Sequence, residues 1–171
     1  MKKVFLTFCL IAGIGITAQA QKFATVDMEY IMKNIPAYES ANEQLNQVSK
    51  KWQTEVETAT KEVQQMYKNY QTELVFMTED VKTKREEAII AKEKAAQDLK
   101  RNYFGPDGEL FKKRESLMKP IQDEVYAAIQ EISTEKDLQL VFDKSSAMSA
   151  IFVSPKLNIS DEVLKKLGYS K

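Results

Sequence analysis

The chain has 171 residues with 25 basic and 25 acidic side chains, no histidine and a single cysteine. Without histidine it lacks the commonest general base and the commonest transition-metal ligand of proteins, so most enzyme classes and metal sites are disfavoured. The balanced charge gives no support for non-specific nucleic-acid binding, which depends on an excess of positive charge.

The first twenty residues have the pattern of a secretory signal peptide. Two lysines begin it, residues 4–16 are an apolar stretch, and small residues at positions 18 and 20 predict cleavage after Ala20. The apolar stretch is shorter than the roughly 20 residues of a membrane-spanning helix, so no stable membrane insertion is expected. Cys9 leaves with this segment, and the mature chain is therefore predicted to be exported without disulfides.

Directly after this segment, Phe23 to Asp27 has the bulky and β-branched side chains of a short strand. A short helix is predicted from Met28 to Asn34. Pro36 then interrupts the pattern, because the residue before a proline is disfavoured in helical geometry. We therefore expect a bend at Ile35-Pro36.

A long helical arm is predicted next, because Ala37 to Phe104 contains no glycine and no proline. At about 1.5 Å per residue, even the half from Ala37 to Met77 would reach roughly 60 Å, several times the depth of a small domain core. Apolar residues at steps of three or four predict a narrow coiled-coil seam. The seam comprises Leu45, Val48, Trp52, Val56, Ala59, Val63, Met66, Tyr70 and Leu74.

The arm is expected to reverse at a tip near residues 76–80. Thr78 followed by Glu79 and Asp80 has the capping hydroxyl and the acidic first turn of a new helix. The returning helix carries a second seam of mostly small residues, which would let the two helices of an antiparallel hairpin pack closely. This seam comprises Val81, Ala88, Ala91, Ala95 and Leu99.

Charge differs between the two halves of this hairpin. Glu39 to Asp80 has eight acidic and four basic residues, whereas Lys82 to Arg101 has seven basic and four acidic residues. Opposite charge suits neighbouring helices, although one exposed pair is worth only about 0 to 1 kcal/mol. Solvated faces would explain any single charge better, so no pair is assigned.

The returning helix is interrupted at residues 104–108, where Pro106, Asp107 and Gly108 follow one another. This is turn chemistry, because proline presets φ and glycine accepts a left-handed backbone. The helix is predicted to resume near Glu109 and to continue to about Lys136. Within it, Pro120 should kink the helix or mark the junction of arm and body.

Two β-type runs follow, at Leu138 to Phe142 and at Ala150 to Val153. Ser160 is the expected cap of a last short helix, which Gly168 ends. Three residues of that helix should face inward, namely Val163, Leu164 and Leu167.

The predicted body combines the two chain ends, residues 21–36 and 137–171, whereas residues 37–136 form the arm. Three short strands leave open edges and bury few side chains. Oligomerisation would remove both problems, by letting strands of several subunits complete one sheet or barrel around a shared core. The predicted fold class is therefore α+β, mostly helical, with a long antiparallel helical hairpin projecting from a small shared body.

The sequence contains few patterns typical of a chemical site. The glycine pair at positions 105 and 108 resembles a loop of some RNA-binding domains, but the strands and basic residues around such a loop are missing. Acidic residues around Asp107 lack the alternating ligands of a calcium loop, and no catalytic triad or phosphate-binding glycine loop is present. We expect no enzymatic activity, no cofactor, no metal and no nucleic-acid partner.

Aromatic and methionine side chains in the distal half of the arm exceed what one narrow seam can bury. Tyr67, Phe76 and Met77 are candidates for contact with a binding partner. Met66 and Tyr70 lie on the seam, so contacts between the two helices explain them better. The alternative is that all five join the helices near the tip.

Three parts of the chain resemble the Skp/OmpH family of periplasmic chaperones. They are residues 22–28 (KFATVDM), the charged hairpin, and residues 138–143 (LQLVFD) with the ending 159–167 (ISDEVLKKL). The resemblance covers essentially the whole mature chain. It implies a homotrimer whose strands form a small central β-barrel, with three helical hairpins projecting like tentacles around a cavity that holds unfolded outer-membrane proteins.

The residues expected to form the trimer body are apolar members of the predicted strands and the segments beside them. They are Phe23, Val26, Leu138, Leu140, Phe142, Ile151 and Val153.

The leading hypothesis is an ATP-independent periplasmic holdase, for which Tyr67, Phe76 and Met77 would contact the client. Its clients would be unfolded outer-membrane β-barrel proteins, whose apolar strands and unpaired edges aggregate in water. Flexing near Pro36, Gly105 and Pro120 would adapt the arms to the client. The alternative is an exported coiled-coil spacer or scaffold of the cell envelope, which should bind one folded partner at its tip.

Overall fold

Helices form most of the chain, and a pair of short strands lies at their base. The computed structural model describes residues 22–146 and 151–169. The strands are β1 (Phe23–Val26) and β2 (Leu140–Asp143), and the helices are α1 (Met28–Lys33), α2 (Pro36–Glu73), α3 (Glu79–Phe104), α4 (Glu109–Lys136) and α5 (Ser160–Lys166). The prediction of a mostly helical α+β fold with a long hairpin is confirmed, whereas the signal peptide and its cleavage after Ala20 lie outside the described residues.

β1 and β2 form a parallel pair, in which Phe23 lies opposite Leu140 and Thr25 opposite Phe142. On the other edge of β1, the Ile159 amide donates to the Thr25 carbonyl at 2.9 Å. Side chains alternate along a strand, so one face of the sheet differs from the other. Phe23, Thr25, Leu140 and Phe142 share the outer face, and Ala24, Val26 and Val141 face the helices.

The predicted strand at Ala150 to Val153 is wrong for the described residues 151–153, which form no strand. Ala150 itself lies outside the described residues. Both edges of β1 are occupied in the single chain, one by β2 and the other by the bridge to Asn158, so these residues cannot pair with β1, and in the structure they do not pair with β2 either. Ile151 is consequently fully exposed.

The buried core of the body joins residues from the two ends of the described chain. Ile31 of α1, Val125 of α4 and Val163 of α5 have no exposed surface, and Ala24 and Val26 of β1 pack into the same cluster. Parallel strands need a long crossover, and here the entire arm is that crossover.

The start of the arm follows the sequence prediction. Ile35 is extended, with φ −98° and ψ 114°, and Pro36 occupies the first turn of α2, where its missing N–H costs nothing. α2 then runs for 38 residues without interruption, which corresponds to about 57 Å. The predicted seam of α2 is half-buried or buried from Leu45 to Tyr70, and this confirms its helical periodicity.

The returning helix α3 packs on α2 with a different stripe from the one predicted. Ile89 and Ala96 are buried, Leu99 is half-buried as expected, and Lys92 lies on the same face with its ammonium 2.7 Å from Glu62. A lysine can lay its stem along an apolar seam and keep its charge at the edge, which a search for apolar residues alone overlooks. The exposed members of the predicted seam are Val81, Ala88, Ala91 and Ala95.

Two of the predicted helix caps are formed differently. α3 begins at Glu79 as expected, but the Thr78 side chain makes no capping hydrogen bond. Ser160 is the first residue of α5 and not its cap, and its hydroxyl accepts the Asp27 amide at 2.8 Å. Gly168 ends α5 as predicted, with φ 86° and its amide on the Lys165 carbonyl. This left-handed residue is typical of a helix end.

Residues 105–108 form the predicted turn between α3 and α4, closed by the Gly108 amide donating to the Gly105 carbonyl at 2.9 Å. The expected left-handed glycine is wrong, because φ is −66° at Gly105 and −73° at Gly108. Glycine is needed here for close approach. A Cβ at Gly105 would lie 2.4 Å from the Arg101 carbonyl oxygen.

The helix α4 continues through Pro120 without ending. Its four buried residues, Ile121, Val125, Ala128 and Ile132, all follow the proline. This agrees with the interpretation of Pro120 as the junction between arm and body.

Replacing Gly108 with alanine should lower the free energy of unfolding by about 1–3 kcal/mol. The added Cβ would lie 2.8 Å from the Tyr103 carbonyl oxygen and 2.9 Å from that of Asn102, both backbone atoms held by α3. The measurement is urea unfolding at fixed protein concentration. Asp107→Ala in the same exposed turn is the control, and equal stability of the two variants would contradict the steric explanation.

Candidate functional site

Two exposed apolar surfaces stand out on the described chain, one on the body and one at the end of the arm. The sheet face consists of the outer sheet residues Phe23, Thr25, Leu140 and Phe142 with the adjacent Phe152, Val153 and Leu157. The tip consists of Leu74, Val75, Phe76, Met77 and Val81.

The sheet face encloses an open groove of about 680 Å³. Phe142 of β2 lines it, together with Phe152 and Leu157 from the segment between β2 and α5. The Phe152 side chain is 81% exposed although it is large and apolar. An uncovered apolar sheet surface of this kind is typical of a surface that a partner covers.

One buried polar atom also lies at this groove. The Thr25 residue is 6% exposed, and within the described chain its hydroxyl oxygen has no hydrogen-bond partner. An unsatisfied buried polar group costs about 1–3 kcal/mol. A molecule that covers the sheet face could supply the missing hydrogen bond.

The structure divides the residues expected to form the trimer body into two groups. Val26 is buried in the chain's own core, and Leu138 packs against that core. The reason for Val26 is strand alternation, since it lies three positions after Phe23 and thus on the opposite face. The other five lie on or beside the sheet face: Phe23, Leu140, Phe142, Ile151 and Val153.

The tip is formed where α2 ends and the chain reverses. A short 3₁₀ turn spans Leu74–Phe76, and the Met77 amide closes it on the Leu74 carbonyl at 3.4 Å. Val75 is 86% exposed and Phe76 is 88% exposed, whereas Met77 is half-buried. Tyr67 is also exposed, about two turns of α2 before the tip.

Three acidic groups next to the tip are paired with nearby cations. Arg85 lies 3.6 Å from Glu73, Lys82 lies 2.7 Å from Glu79, and Lys84 lies 2.8 Å from Asp80. The first pair links α2 and α3, as does the pair of Lys92 with Glu62, so opposite charge does join the two helices. The tip therefore presents exposed apolar side chains among locally neutralised charges.

Tyr70 contacts the opposite helix, as its seam position predicts. Its hydroxyl donates to the Glu86 carboxylate. This hydrogen bond, with burial and the nearby negative charge adding to it, raises the pKa of Tyr70 to about 12. A hydrogen bond from Tyr103 to Glu55, at 2.5 Å, likewise raises the pKa of the Tyr103 phenol.

Sequence inspection missed three of the exposed apolar residues. Val75 was overlooked because it is adjacent to Phe76 and off the helical seam. Phe152 was passed over in favour of Ile151 and Val153, the alternate positions expected of a strand. Leu157 follows Pro155 in a short 3₁₀ turn, for which no periodic signal exists.

Residues 22–146 and 151–169 contain neither a cluster of potential metal ligands nor a helix suited to span a membrane. This part of the chain has no group of three or more histidine, cysteine, aspartate or glutamate residues placed to hold a metal ion. Its helices include none with both the length and the apolar character needed to cross a membrane.

Comparison with known proteins identifies a family and solved structures of similar fold. The family model described as outer membrane protein (OmpH-like) matches residues 22–167. The structure is similar to the 2.83 Å crystal structure of a candidate outer membrane chaperone (OmpH-like) from Caulobacter crescentus CB15, with a TM-score of 0.68 and 13% sequence identity over 86% of this chain and 83% of that chain. At this identity the likeness concerns the fold alone. No curated protein matches the sequence.

Tyr70 should titrate with a pKa of about 12, above the ordinary tyrosine value of 10.0. The hydrogen bond to Glu86 stabilises the neutral phenol. Its contribution to stability is therefore fully present below the unfolded-state pKa and is lost as pH rises through the folded-state value. The measurement is the phenolate absorbance difference between the native chain and Tyr70→Phe.

Glu86→Ala should return this titration toward the ordinary value, while Glu87→Ala, on the same helix, should leave it unchanged. A Tyr70 midpoint near 10.0 in the native chain would show that the hydrogen bond is absent in solution.

Proposed function

Because the chain belongs to the OmpH-like family of outer membrane proteins, we propose that it is an ATP-independent holdase chaperone. It binds unfolded outer-membrane β-barrel proteins in the periplasm and prevents their aggregation. The observation that carries this proposal is the arm. A hairpin about 57 Å long, from the rise of α2, ends in an exposed apolar tip that no part of the described chain covers.

The chemistry of the tip suits an unfolded client better than a folded one. Strands of outer-membrane barrels alternate apolar and polar residues and expose unpaired edges before insertion. Val75, Phe76 and Tyr67 offer large apolar surfaces without a shaped pocket, so they accept varied sequences. Several arms that each make weak contacts would retain a client by avidity while each contact releases quickly.

The proposed assembly is a homotrimer built on the sheet face, with the strands of three subunits closing a small barrel. Phe23, Leu140 and Phe142 are aligned on that face by the register of the strands. Val153 lines the groove beside this face, and Ile151 is exposed two residues before it, so both are available to a neighbouring subunit. Within residues 22–146 and 151–169, the groove is open and the Thr25 hydroxyl has no hydrogen-bond partner, and both observations support an occupant here.

The proposed compartment is the periplasm, reached through the predicted signal peptide of residues 1–20. The proposed activity is binding alone, without catalysis, cofactor, metal or nucleic acid. The sequence supports this, since a chain without histidine or a mature cysteine has few groups for acid–base or nucleophilic chemistry.

The second candidate is an exported spacer or scaffold of the cell envelope. The observation that favours it is that Val75 and Phe76 form one small exposed patch at the end of a long helical hairpin, where a single partner could bind. The two functions differ in the state of the protein that is bound. A holdase binds many unfolded proteins and ignores their folded forms, whereas a spacer binds one folded partner.

The double variant Val75→Ser/Phe76→Ser should weaken the apparent affinity for a urea-unfolded porin by about tenfold, a change of about 1.4 kcal/mol. Full burial of one such side chain is worth about 1.5–3 kcal/mol, and only part of each is buried in a dynamic complex. The measurement is light scattering as the porin is diluted from urea with increasing amounts of chaperone.

Tyr126→Ser is the matched control, because Tyr126 is exposed on α4 far from the tip. The holdase proposal is overturned if the unaltered protein does not reduce precipitation of the porin. Equal losses in both variants would refute the assignment of client contact to the tip.

Leu140→Asp should convert the proposed trimer into monomers in sedimentation velocity. Leu140 is half-exposed on the sheet face, so an aspartate there leaves the single chain folded but places charge in the proposed interface. Gln139→Asp, at the exposed neighbouring position, is the control and should remain trimeric. A monomeric unaltered protein would disprove the shared barrel.

A further inference from the structure

The groove on the sheet face lies where the described chain begins. β1 starts at Phe23, one residue after Lys22, and Phe23, Ala24 and Thr25 all line the groove. The sequence has 21 further residues before Lys22. A segment that directly precedes Lys22 is therefore held close to the groove by the covalent chain itself.

The apolar stretch of residues 4–16 in that segment matches the chemistry of the groove. The stretch contains no charged residue, and the groove is lined by Phe142, Phe152 and Leu157. Its volume of about 680 Å³ lies within the usual range for protein sites that enclose a bound molecule. Apolar side chains of the stretch would leave water on entering it.

A peptide segment also suits the one buried polar atom at the groove. Thr25 is 6% exposed, and within residues 22–146 and 151–169 its hydroxyl has no hydrogen-bond partner. A backbone carbonyl is a strong acceptor, and every residue of a covering segment brings one. An apolar peptide can thus satisfy Thr25 without placing a charge in the groove.

The connection between stretch and groove is short. Residues 17–21 separate the stretch from Lys22, and five extended residues span at most about 18 Å. This length lets the stretch turn back over the groove beside which it is attached. Short flexible connections give an attached segment an effective concentration in the millimolar range, whereas a second subunit competes only at its own concentration.

We infer that residues 4–16 occupy the groove in the uncleaved chain and keep it from assembling. Cleavage after Ala20 then removes the occupant and exposes the sheet face to other subunits. This inference rests on the proposed function, because the trimer on the sheet face is part of that proposal. It adds a regulatory step, in which removal of the signal peptide permits assembly.

The size of the effect follows from the fraction of chains with an open groove. If the segment fills the groove for about nine-tenths of the time, about one tenth of the chains can associate. The protein concentration needed for assembly then rises by about tenfold.

The first test compares the full 171-residue chain with the chain that begins at Gln21 by sedimentation velocity over a range of concentrations. The full chain should need about tenfold more protein to form trimers. Leu10→Asn/Ile11→Asn, within the apolar stretch, should restore assembly to the full chain. Lys2→Ser/Lys3→Ser, in the charged start outside the stretch, is the matched control and should leave the full chain monomeric.

The second test measures contact with the groove and does not depend on a trimer. Cys9 lies within the stretch and is the only cysteine of the chain, so one added cysteine gives one possible intramolecular disulfide. Ser154→Cys places it in the groove. Ser116→Cys, at an exposed position on α4, is the control. Mild oxidation of the dilute full chain should join Cys9 to position 154 at least tenfold faster than to position 116.

The two tests separate failure of this inference from failure of the proposed assembly. A full chain that forms trimers as readily as the chain from Gln21 would overturn the inference, as would equal crosslinking at positions 154 and 116. Aggregation of the full chain through an uncovered apolar stretch would also overturn it. Monomers in both chains, with preferential crosslinking at position 154, would support occupation of the groove and refute the trimer.

Discussion

The structure depends on one packed cluster that joins the two ends of the described chain. Ile31, Val125 and Val163 are completely buried in it, although they come from α1, α4 and α5. Because the chain must leave this cluster and return to it, everything between the ends is free to project as a hairpin. The cluster covers only one face of the sheet, and a surface suited to association remains on the other.

The helical hairpin could be predicted well because its main signal, the absence of glycine and proline with an apolar period, is local. The seam of the returning helix could not be predicted in this way, because Lys92 packs its methylene stem into the seam and pairs its ammonium group with Glu62. The role of Gly108 also escaped prediction. Close approach to the carbonyl of Tyr103 depends on tertiary geometry, whereas turn propensity describes only the local backbone.

The candidate surfaces were predicted only in part, because a local sequence pattern marks some of their residues and tertiary geometry alone places the others. Phe76 was predicted to be available for partner contact because a large aromatic residue outside the helical seam has no neighbour on its own helix to pack against. Val26 was expected in the trimer body without a face being assigned to it, and strand alternation turns it toward the chain's own helices. The groove beside Phe152 depends on a segment with no periodic pattern, and only the fold brings it next to β1.

The hydrogen bond from the Asp27 amide to the Ser160 hydroxyl spans 133 residues of sequence. It has a consequence for the order of folding. The arm consists of local contacts and can form as soon as its own residues are available, whereas β1 must wait for β2 and α5 before it gains neighbours. During synthesis from the N-terminus the first strand is thus the last to be completed, and the nascent protein passes through a stage in which the edge of this strand is unprotected.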